Sequence, residues 1–383
     1  MLRILFTGGG TGGHIYPILA VVEELQKIAV GKKIEMRLRY FGAPGIFQKL
    51  LQENGIKVSR IISAKLRRYF DLRNFIDIPI LFPLSVIQSL WKVFWYMPDV
   101  LFSKGGPGSL PVVLACRFYR VPIIIHDSDG IPGLANRLAA KSAKRIGISF
   151  ESAAEFFPKK TMDKIALIGN PVRQSLIGGD ILERETAKKI FGFSPEKPVI
   201  LVMGGSQGAK PINDFMLEIF QDLIKDYQIL HQAGVKNFNN VKEELKIVLK
   251  NYPPEQKNKY KLVSYFEKDL KDAYAAADLI ISRASSGIIF EISSFGRPAI
   301  LIPLPLDVVG GHQIKNAYEY AKNGAAVVVE QTNLTPNVFI AQIKKIFSDP
   351  EKLKQMSQAA KNFSKPEAAR ITTEEIIRLA VRN

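Results

Sequence analysis

Short, continuously apolar segments alternate with helical segments in two series along this chain. The first series of predicted strands covers residues 3–7, 34–41, 58–62, 100–103, 123–126 and 145–148, and the second covers 199–203, 228–231, 261–264, 279–282, 299–302 and 325–329. Strands without polar interruptions are buried on both faces, which is typical of parallel sheets covered by helices. The sequence therefore predicts an α/β fold of two doubly wound, Rossmann-like parallel-sheet domains facing a cleft, with ligands beyond the carboxyl ends of the strands.

The break between the two series predicts the domain boundary. A chain of 383 residues is long enough for two domains at roughly 100–200 residues each. The glycine- and proline-containing segment 168–173 is the predicted hinge between domains 1–168 and 174–364. A final helical segment, 365–383, can pack on either domain, including back on the first.

The charge of the chain is unusual. There are 53 lysines and arginines against 36 acidic residues, a formal net charge of +17. Such an excess predicts an anionic partner, which can be nucleic acid, a membrane surface or a phosphorylated ligand. Residues 1–170 contain 24 basic and 12 acidic residues, a net charge of +12, whereas the remainder carries +5. The densest basic cluster comprises Arg60, Lys65, Arg67, Arg68 and Arg73.

Cysteine and histidine are too sparse for a disulfide framework or a metal cluster. Cys116 is the only cysteine, which excludes an intramolecular disulfide and fits a reducing compartment. One cysteine and four scattered histidines do not form a metal site, so no metal is expected. The first seven residues are too short for the apolar region of a signal peptide.

The most apolar stretch covers residues 78–97. Prolines and polar residues interrupt it, so the hydropathy criteria disfavour a transmembrane helix. Its apolar residues at helical spacing are Leu84, Ile87, Trp91 and Phe94. Two interpretations stay open: a helix packed in the domain core, or an exposed apolar face beside basic residues that contacts an anionic bilayer.

Three glycine-rich loops each follow a predicted strand and precede a predicted helix. They are the segments 8–13, 103–108 and 204–209. Glycine allows backbone amides to approach a ligand closely, and the following helix N-terminus favours negative charge. Three such loops at matching positions predict a phosphate-bearing or sugar-nucleotide ligand.

The first loop also fits the dinucleotide fingerprint G-x-G-x-x-G through Gly8, Gly10 and Gly13. That fingerprint requires an acidic residue about 20 positions later, to bind a ribose hydroxyl. The second strand ends without an acid, so NAD is disfavoured, while an NADP interpretation remains through Arg39. The P-loop pattern of nucleotide hydrolases is absent from the sequence.

The loops and several further motifs resemble the MurG family of glycosyltransferase family 28, the N-acetylglucosaminyltransferases of peptidoglycan synthesis. The motifs are GGGTGGHIYP at 8–17, SKGG at 103–106, PGLANR at 132–137, GNPVR at 169–173, GGSQGA at 204–209 and SRA at 282–284. They also include Glu291 and the pattern HQxxNA at 312–317. The resemblance implies a GT-B fold and an inverting transfer of GlcNAc from UDP-GlcNAc to the 4-hydroxyl of MurNAc-pentapeptide-pyrophosphoryl-undecaprenol, which converts lipid I to lipid II. It also implies peripheral attachment to the cytoplasmic face of the bacterial plasma membrane.

Such a transfer needs a base for the acceptor hydroxyl, and His14 is the candidate. It ends a glycine loop at a helix start, where the helix dipole disfavours the imidazolium. A neutral imidazole suits general-base work. The alternative is that His14 caps the helix or only hydrogen-bonds a substrate.

The remaining site residues follow mainly from the resemblance. It implies donor-binding roles for Thr11, Gly12, Gly13, Asp129, Arg173, Ser206, Phe266, Ser286, Gly287, Glu291, Gln313 and Asn316, and acceptor-binding roles for Lys104, Gly105 and Gly106. Ser206 and the neighbouring amides suit the leaving diphosphate. Glu291 is expected on the ribose, and the amides of Gln313 and Asn316 on the sugar.

For some of these residues the sequence leaves a second interpretation open or differs from the family. Arg173 offers a fork of donors for phosphate oxygens, or else forms a structural salt bridge at the hinge. Phe266 lies near uracil by resemblance, or is a core aromatic. Asp129 stands where the family commonly has an amide, so an ionised Asp129 only accepts hydrogen bonds from the sugar.

The expected partners are therefore UDP-GlcNAc, the lipid I acceptor and an anionic membrane surface, and no cofactor is required. The basic first half is the one that the resemblance assigns to the lipid acceptor, so nucleic acid is not the expected partner. A GT-B enzyme acting on another lipid, such as diacylglycerol, is the nearest alternative. An NADP-dependent oxidoreductase is the alternative from another class.

Overall fold

The computed structural model describes residues 1–63, 77–205, 208–306 and 311–381. The chain forms two compact units, Met1–Gln174 together with Lys365–Asn383, and Ser175–Ser364. Each unit contains one sheet in which every paired strand runs parallel to its neighbour. The predicted α/β class with two parallel sheets is confirmed.

The first unit has a seven-stranded sheet with the order β3-β2-β1-β4-β5-β6-β7. Its strands are β1 (Leu2–Thr7), β2 (Met36–Gly42), β3 (Lys57–Arg60), β4 (Val100–Ser103), β5 (Ile123–Asp127), β6 (Arg145–Ile148) and β7 (Ile165–Leu167). Its helices before the second unit are α1 (Gly12–Lys32), α2 (Gln48–Glu53), α3 (Phe82–Tyr96), α4 (Ser109–Phe118), α5 (Leu134–Ala139) and α6 (Gln174–Ile177), the last of which runs on into that unit. A π-helical turn, Asp77–Leu81, leads into α3. Turns of 3₁₀ helix lie at Gly45–Phe47, Ala140–Ser142, Glu151–Phe156 and Lys159–Lys164.

The second unit has a six-stranded sheet with the order β10-β9-β8-β11-β12-β13. Its strands are β8 (Val199–Met203), β9 (Gln228–Gln232), β10 (Tyr260–Val263), β11 (Leu279–Ser282), β12 (Ala299–Leu301) and β13 (Ala326–Val328). Its helices are α7 (Arg184–Ile190), α8 (Lys210–Glu218), α9 (Phe220–Asp226), α10 (Phe238–Leu249), α11 (Pro254–Lys257), α12 (Leu270–Ala276), α13 (Ser286–Ser294), α14 (His312–Lys322), α15 (Pro336–Phe347) and α16 (Pro350–Phe363). A 3₁₀ turn lies at Gln331–Asn333.

The strand order reverses direction once in each sheet, between β1 and β4 and between β8 and β11. At such a switch point the loops that leave the two strands turn to opposite sides and open a crevice at the carboxyl edge of the sheet. The three glycine loops all follow a strand that borders a switch point: β1, β4 and β8. The predicted position of the three glycine loops, each between a strand and a helix, is therefore confirmed.

Helix α1 begins earlier than the sequence predicts. The glycine loop 8–13 was expected to precede the helix, whereas the helix starts at Gly12, inside that loop. The amides of His14 and Ile15 both donate to the Thr11 carbonyl, at 3.0 and 3.1 Å, which draws the glycines into the first turn. The early start places His14 on the helix itself rather than at the end of a loop.

The chain ends in a helix that belongs to the first unit. Helix α17 (Ala368–Val381) packs against α1, and its Ile376 belongs to the same apolar core as strand β1. Thr373 donates its hydroxyl hydrogen to the Val21 carbonyl at 3.2 Å. An ion pair of 2.9 Å joins Glu375 to Arg145. The last helix thus completes the layer on one face of the first sheet.

Helix α3 turns its apolar face outward, so the core interpretation of this segment is wrong. Its buried residues are Ser85, Ser89, Val93 and Tyr96. Its exposed residues are Leu84, Ile87, Trp91, Phe94 and Trp95, each 47–70 % exposed. The buried face of α3 packs mainly against α4, while the large apolar residues of the opposite face stay in solvent. The helices among the described residues are all too short or too polar to cross a bilayer.

Candidate active site

Two glycine loops leave the first sheet side by side. Thr7 and Ser103, the last residues of β1 and β4, are direct partners in the register. The amide of Lys104 donates to the Thr7 carbonyl at 2.9 Å, which extends the pairing by one residue. The segments 8–11 and 104–108 therefore start from the same point of the sheet edge.

His14 lies between these two loops. A Cβ atom added at Gly9 would approach its Nδ1 to 2.9 Å, and one added at Gly106 would approach its Nε2 to 2.9 Å. Gly106 also has a φ of +84°, a conformation that side-chain-bearing residues rarely adopt. Glycine is needed at both positions because the imidazole ring occupies the space of a side chain.

The Thr11 side chain contacts the imidazole. Thr11 is the N-cap of α1, yet its side chain makes no capping hydrogen bond to the helix backbone. Its Oγ1 lies 2.8 Å from Nδ1 of His14. When Nδ1 carries the proton and donates to Oγ1, the lone pair of Nε2 is available to accept a proton.

The surroundings of His14 keep its imidazole neutral. Burial is the largest cause, and the positive charge of Lys104 adds to it, while Asp129 opposes both; together they lower the pKa of His14 to about 4. The helix-dipole argument has the same sign, but burial is the main physical cause in the structure. At neutral pH the ring can accept a proton, which general-base chemistry requires.

Lys104 forms a buried polar network beneath the loops. The residue is 2 % exposed. Its Nζ lies 2.5 Å from Nδ1 of His126 and donates to Ser128 Oγ at 2.6 Å and to Asn170 Oδ1 at 3.4 Å. Because Nε2 of His126 donates to the Gly169 carbonyl at 2.8 Å, its Nδ1 accepts from Lys104. Burial lowers the pKa of Lys104 to about 7, against the attraction of Asp127 and Asp129.

This network joins three segments of the first unit. Lys104 directly follows β4, and His126 lies near the end of β5. Gly169 and Asn170 lie in the segment predicted as the hinge. Ser128 donates to Asn170 Oδ1 at 2.9 Å, which closes the ring of contacts. The ammonium of Lys104 thus faces the interior, and its proposed contact with the acceptor stays a prediction.

Asp127 organises the loop that carries Asp129. Its carboxylate accepts from the amide of Asp129 at 3.0 Å, from the amide of Gly133 at 3.1 Å and from Asn136 Nδ2 at 2.8 Å. Burial and the neighbouring Asp129 raise the pKa of Asp127 to about 6. A Cβ atom at Gly105 would collide with Asn136 at 2.5 Å, so this amide also fixes the second glycine loop.

Arg173 lies on an aromatic ring rather than in an ion pair. Its guanidinium carbon is 5.0 Å from the centre of the Tyr16 ring, so the two form a cation–π contact. Among the described residues Arg173 forms no salt bridge, so this part of the chain gives no support to the salt-bridge interpretation. The stacked guanidinium keeps its donors available for phosphate oxygens.

In the second unit, the loop after β8 is described at Gly204, Gly205, Gly208 and Ala209. Ser206, the predicted partner of the leaving diphosphate, lies outside the described residues. Gln232 connects this loop to the next one: its Nε2 donates to the Gly205 carbonyl at 3.2 Å, and its Oε1 accepts from the Phe266 amide at 3.1 Å.

The Phe266 ring belongs to the core. It is 4 % exposed and packs edge-on against Phe191, with ring centres 6.2 Å apart. The structure therefore favours the core alternative for this side chain. A contact between this segment and uracil would have to use the backbone.

Helix α13 carries three predicted donor residues. Ser286, in its first turn, is buried and its hydroxyl has no hydrogen-bond partner in the described structure. Gly287 faces open space, because an added Cβ would meet no atom within 4 Å. One turn later, Glu291 accepts a hydrogen bond of 2.7 Å from the hydroxyl of Tyr274. This hydrogen bond helps to fix the orientation of the Glu291 carboxylate.

Gln313 and Asn316 lie on α14 but in different surroundings. Gln313 is half-buried, and its Oε1 accepts from the Leu304 amide at 3.1 Å. Asn316 is fully buried, and its Nδ2 donates to the Ala284 carbonyl at 3.3 Å. Asn316 therefore helps to hold the loop before α13, and its expected contact with the sugar stays a prediction.

Arg283 holds the loop that follows β12. Its guanidinium donates to the carbonyls of Ile302 and Pro303 at 3.1 and 3.3 Å and to Gln331 Oε1 at 2.6 Å. Burial lowers its pKa to about 10. The SRA motif at 282–284 is thus explained by backbone positioning. Within the described residues, no group of three or more His, Cys, Asp or Glu side chains is arranged to hold a metal ion.

Comparison with known proteins gives the family. Residues 4–148 match the glycosyltransferase family 28 N-terminal domain, and residues 199–371 match the C-terminal domain of that family. A Bacillus cereus protein named UDP-N-acetylglucosamine–N-acetylmuramyl-(pentapeptide) pyrophosphoryl-undecaprenol N-acetylglucosamine transferase 2 is 37 % identical over 98 % of this chain and 99 % of its own length. The chain belongs to the MurG group of glycosyltransferase family 28. A transferase of the corresponding name from Clostridium tetani is 33 % identical, over 94 % of both chains.

Solved structures confirm the GT-B fold of this family. The crystal structure of Acinetobacter baumannii MurG matches with a TM-score of 0.74 and 24 % identity, over 99 % of this chain and all of that one. A UDP-GlcNAc 2-epimerase from Neisseria meningitidis, bound to UDP-GlcNAc, matches with a TM-score of 0.68 and 16 % identity over the full length of both. At these identities the likeness shows the fold alone.

The structure also identifies residues whose roles the sequence did not reveal. His126, Ser128 and Asn170 hold Lys104 in place, and Tyr274 orients Glu291. A signal was present for Asn170, which lies inside the GNPVR motif, whereas His126 and Ser128 lie outside the motifs named above, in the segment that carries Asp129. Tyr274 lies in no motif, and only its position against α13 identifies it.

Proposed function

We propose that this protein transfers GlcNAc from UDP-GlcNAc to the 4-hydroxyl of lipid-linked MurNAc-pentapeptide, with inversion at the anomeric carbon. The observation that carries the proposal is the match, over almost the full length of both chains, to a protein named as the N-acetylglucosamine transferase of UDP-N-acetylglucosamine and N-acetylmuramyl-(pentapeptide) pyrophosphoryl-undecaprenol. The neutral imidazole of His14 between two glycine loops supports it chemically.

In the proposed reaction His14 acts as the general base. Nε2 takes the proton of the acceptor 4-hydroxyl as its oxygen bonds to the anomeric carbon of GlcNAc. The bond between that carbon and the β-phosphate oxygen of UDP breaks, and the electron pair leaves with UDP. Thr11 positions the ring through Nδ1. A general base with this geometry contributes typically 10²–10⁴-fold to a rate.

Lys104 and Asp129 set the basicity of His14 in opposite directions. Lys104 lowers its pKa and Asp129 raises it. An acceptor that carries a diphosphate near the loops would raise the pKa of His14, as Asp129 does, because negative charge stabilises the imidazolium that forms during transfer. The base would therefore become stronger when the acceptor is bound.

The donor is held by the second unit and Arg173 in this proposal. Glu291, oriented by Tyr274, accepts hydrogen bonds from the ribose hydroxyls. The backbone amides of the loop after β8 and the donors of Arg173 neutralise the leaving diphosphate. These donors suffice without a bound metal, so activity is expected to survive treatment with a chelator.

Attachment to the membrane would use helix α3 and its neighbour α4. Phe94 and Trp95 lie in edge contact at 5.6 Å, and Phe94 lies 6.1 Å from Tyr119. Phe118, 70 % exposed, extends the same aromatic patch. Aromatic and aliphatic side chains beside basic residues are typical of a surface that lies on an anionic bilayer. The proposal therefore places the protein peripherally, on the cytoplasmic face of the plasma membrane.

Transfer of radiolabel tests the proposed function. Purified protein is incubated with labelled UDP-GlcNAc and a lipid I analogue, or with diacylglycerol in place of the analogue. Label in the lipid I product alone supports the proposal. Label in diacylglycerol alone would assign another acceptor, and no label in either lipid, beside an active control enzyme, would refute the transferase.

A further inference from the structure

A cavity of about 260 Å³ lies between the first sheet and helix α3. Its lining, which we call the α3 pocket, consists of Arg39, Phe41, Ser59, Trp91, Lys92 and Trp95. The register explains why these residues meet. Arg39 and Phe41 are two apart on β2 and point to the same side of the sheet, and Ser59 pairs with Phe41. Trp91, Lys92 and Trp95 come from α3.

Arg39 brings a positive charge to the pocket, and the described lining contains no carboxylate to balance it. Its guanidinium carbon lies 4.5 Å from the centre of the Tyr96 ring. The hydroxyl of Tyr96 is fixed by the Arg37 carbonyl at 2.6 Å, so the ring is a rigid support. Among the described residues, the guanidinium of Arg39 donates no hydrogen bond and forms no ion pair, and its recorded contact is the one with Tyr96. This position also argues against a role with NADP, because Arg39 precedes the end of β2 by three residues.

Lys92 adds a second cation on the opposite wall. It is half-buried, and its Nζ donates one hydrogen bond of 2.7 Å to the Arg60 carbonyl. Burial lowers its pKa, as expected for an ammonium group without a neighbouring carboxylate. None of the six lining residues is acidic. Two cations and the Ser59 hydroxyl therefore offer donors to an anion.

The size and walls of the pocket restrict the anion. A volume of about 260 Å³ is smaller than the roughly 300–1,000 Å³ of sites for drug-sized ligands, so the pocket suits a small group. Phe41, Trp91 and Trp95 make the rest of the wall apolar. Trp91 and Trp95 are 65 and 70 % exposed, and they continue into the apolar face of α3. A ligand with a phosphate at one end and a hydrocarbon at the other fits this arrangement.

We propose that the α3 pocket binds the phosphate head group of an anionic phospholipid, whose acyl chains leave along Trp91 and Trp95. This inference rests on the proposed membrane attachment and adds a defined head-group site to it. Arg39 and Lys92 contact the phosphate oxygens, and Ser59 donates a further hydrogen bond. The site would hold the protein at the bilayer in one orientation, which a patch of apolar residues alone does not fix.

The two tryptophans report directly on this site, because they are the only tryptophans in the chain and both line the pocket. The full-length protein is titrated with dihexanoyl phosphatidic acid below its critical micelle concentration, and tryptophan emission is recorded. We expect a saturable change in emission. Arg39→Gln should raise the apparent Kd at least tenfold, the loss expected when a hydrogen bond to a charged group is removed.

Arg37→Gln is the matched control, because Arg37 lies on the same strand, carries the same charge and does not line the pocket. It should change the Kd less than about twofold, the size of a screened surface interaction. Lys92→Gln serves as the second pocket variant, since Arg39 also packs on Tyr96. Circular dichroism confirms that each variant is folded.

Three results would overturn the head-group site. Equal weakening by Arg37→Gln and Arg39→Gln would indicate diffuse electrostatic attraction. An equal response to dihexanoyl phosphatidylcholine would indicate apolar insertion alone. Saturation by inorganic phosphate at the same concentration would indicate an anion site that needs no lipid. Transfer to a water-soluble acceptor analogue is measured in parallel, so that loss of the proposed activity is distinguished from loss of the lipid site.

Discussion

The side chains of Thr11 and His14 form a hydrogen bond, in which Thr11 Oγ1 lies 2.8 Å from His14 Nδ1. The two residues are three positions apart at the start of α1, so the contact depends on the helix beginning at Gly12. The hydroxyl both donates and accepts, and the direction of the hydrogen bond decides which ring nitrogen carries the proton. A base acting through Nε2 requires Thr11 as the acceptor.

Removing the Thr11 hydroxyl should lower turnover. In Thr11→Val the preferred tautomer and ring orientation lose their support, and kcat at saturating donor should fall about fivefold to tenfold, the value of one hydrogen bond. Thr11→Ser retains the hydroxyl and is the control. Steady-state kinetics measures both, and a Thr11→Val enzyme with unchanged kcat would exclude the proposed tautomer.

The acid limb of the pH–rate profile should report His14. Because the pKa of His14 is lowered to about 4, the active neutral form should be lost only as pH falls towards that value. Lys104→Met removes a positive charge that lowers this pKa, so the limb in kcat/KM should move to higher pH. Lys141→Met, a change at an exposed lysine of the same unit, should leave the limb in place. If the limb does not move in Lys104→Met, the charge of Lys104 does not set the pKa of His14.

Tyr274 should affect binding of the donor although it lies outside the family motifs. Tyr274→Phe removes the hydrogen bond to Glu291, and the Kd for UDP-GlcNAc should rise about fivefold. Glu291→Ala should raise it further. Calorimetry measures both, with Tyr318→Phe as control, since that tyrosine makes the same kind of contact with Glu330 at an exposed site. Unchanged donor affinity in Glu291→Ala would show that Glu291 does not bind the ribose hydroxyls.

Vesicle binding should depend on the exposed face of α3. Replacing Trp91 and Trp95 by Ser should reduce binding to vesicles that contain phosphatidylglycerol, because both side chains are exposed and make up much of the apolar surface. Their exposure also predicts that the variant folds. Ile247→Ser, at a similarly exposed apolar residue of the second unit, should bind as the unaltered protein does. Flotation assays compare the three proteins, and equal binding by all would contradict the assigned surface.

The strands were predictable because their apolar runs are continuous. The segments at 100–103, 145–148, 199–203 and 279–282 were predicted to the residue. Strand β7, Ile165–Leu167, was missed because it has three residues and lies partly exposed at the sheet edge. The start of α1 was misplaced because glycines are weak helix formers, whereas the amides of His14 and Ile15 donate to the Thr11 carbonyl and bring Gly12 and Gly13 into the first turn.

Which face of a helix is buried was not predictable from its apolar residues. On α3 the usual rule is inverted, since Ser85 and Ser89 pack inward and the tryptophans lie outside. The contacts of Lys104 were also hidden, because its three partners come from two other segments of the chain. Motifs located Lys104 and Asn170 without revealing that the two side chains contact each other.

The most direct test of the account is the linkage of the product formed from UDP-GlcNAc and a lipid I analogue. Nuclear magnetic resonance of the purified product gives the configuration at the anomeric carbon and the oxygen to which it is bonded. Direct displacement assisted by His14 predicts a β-linked GlcNAc on the 4-oxygen of the muramoyl sugar. An α-linked product, or attachment at another oxygen, would contradict the account.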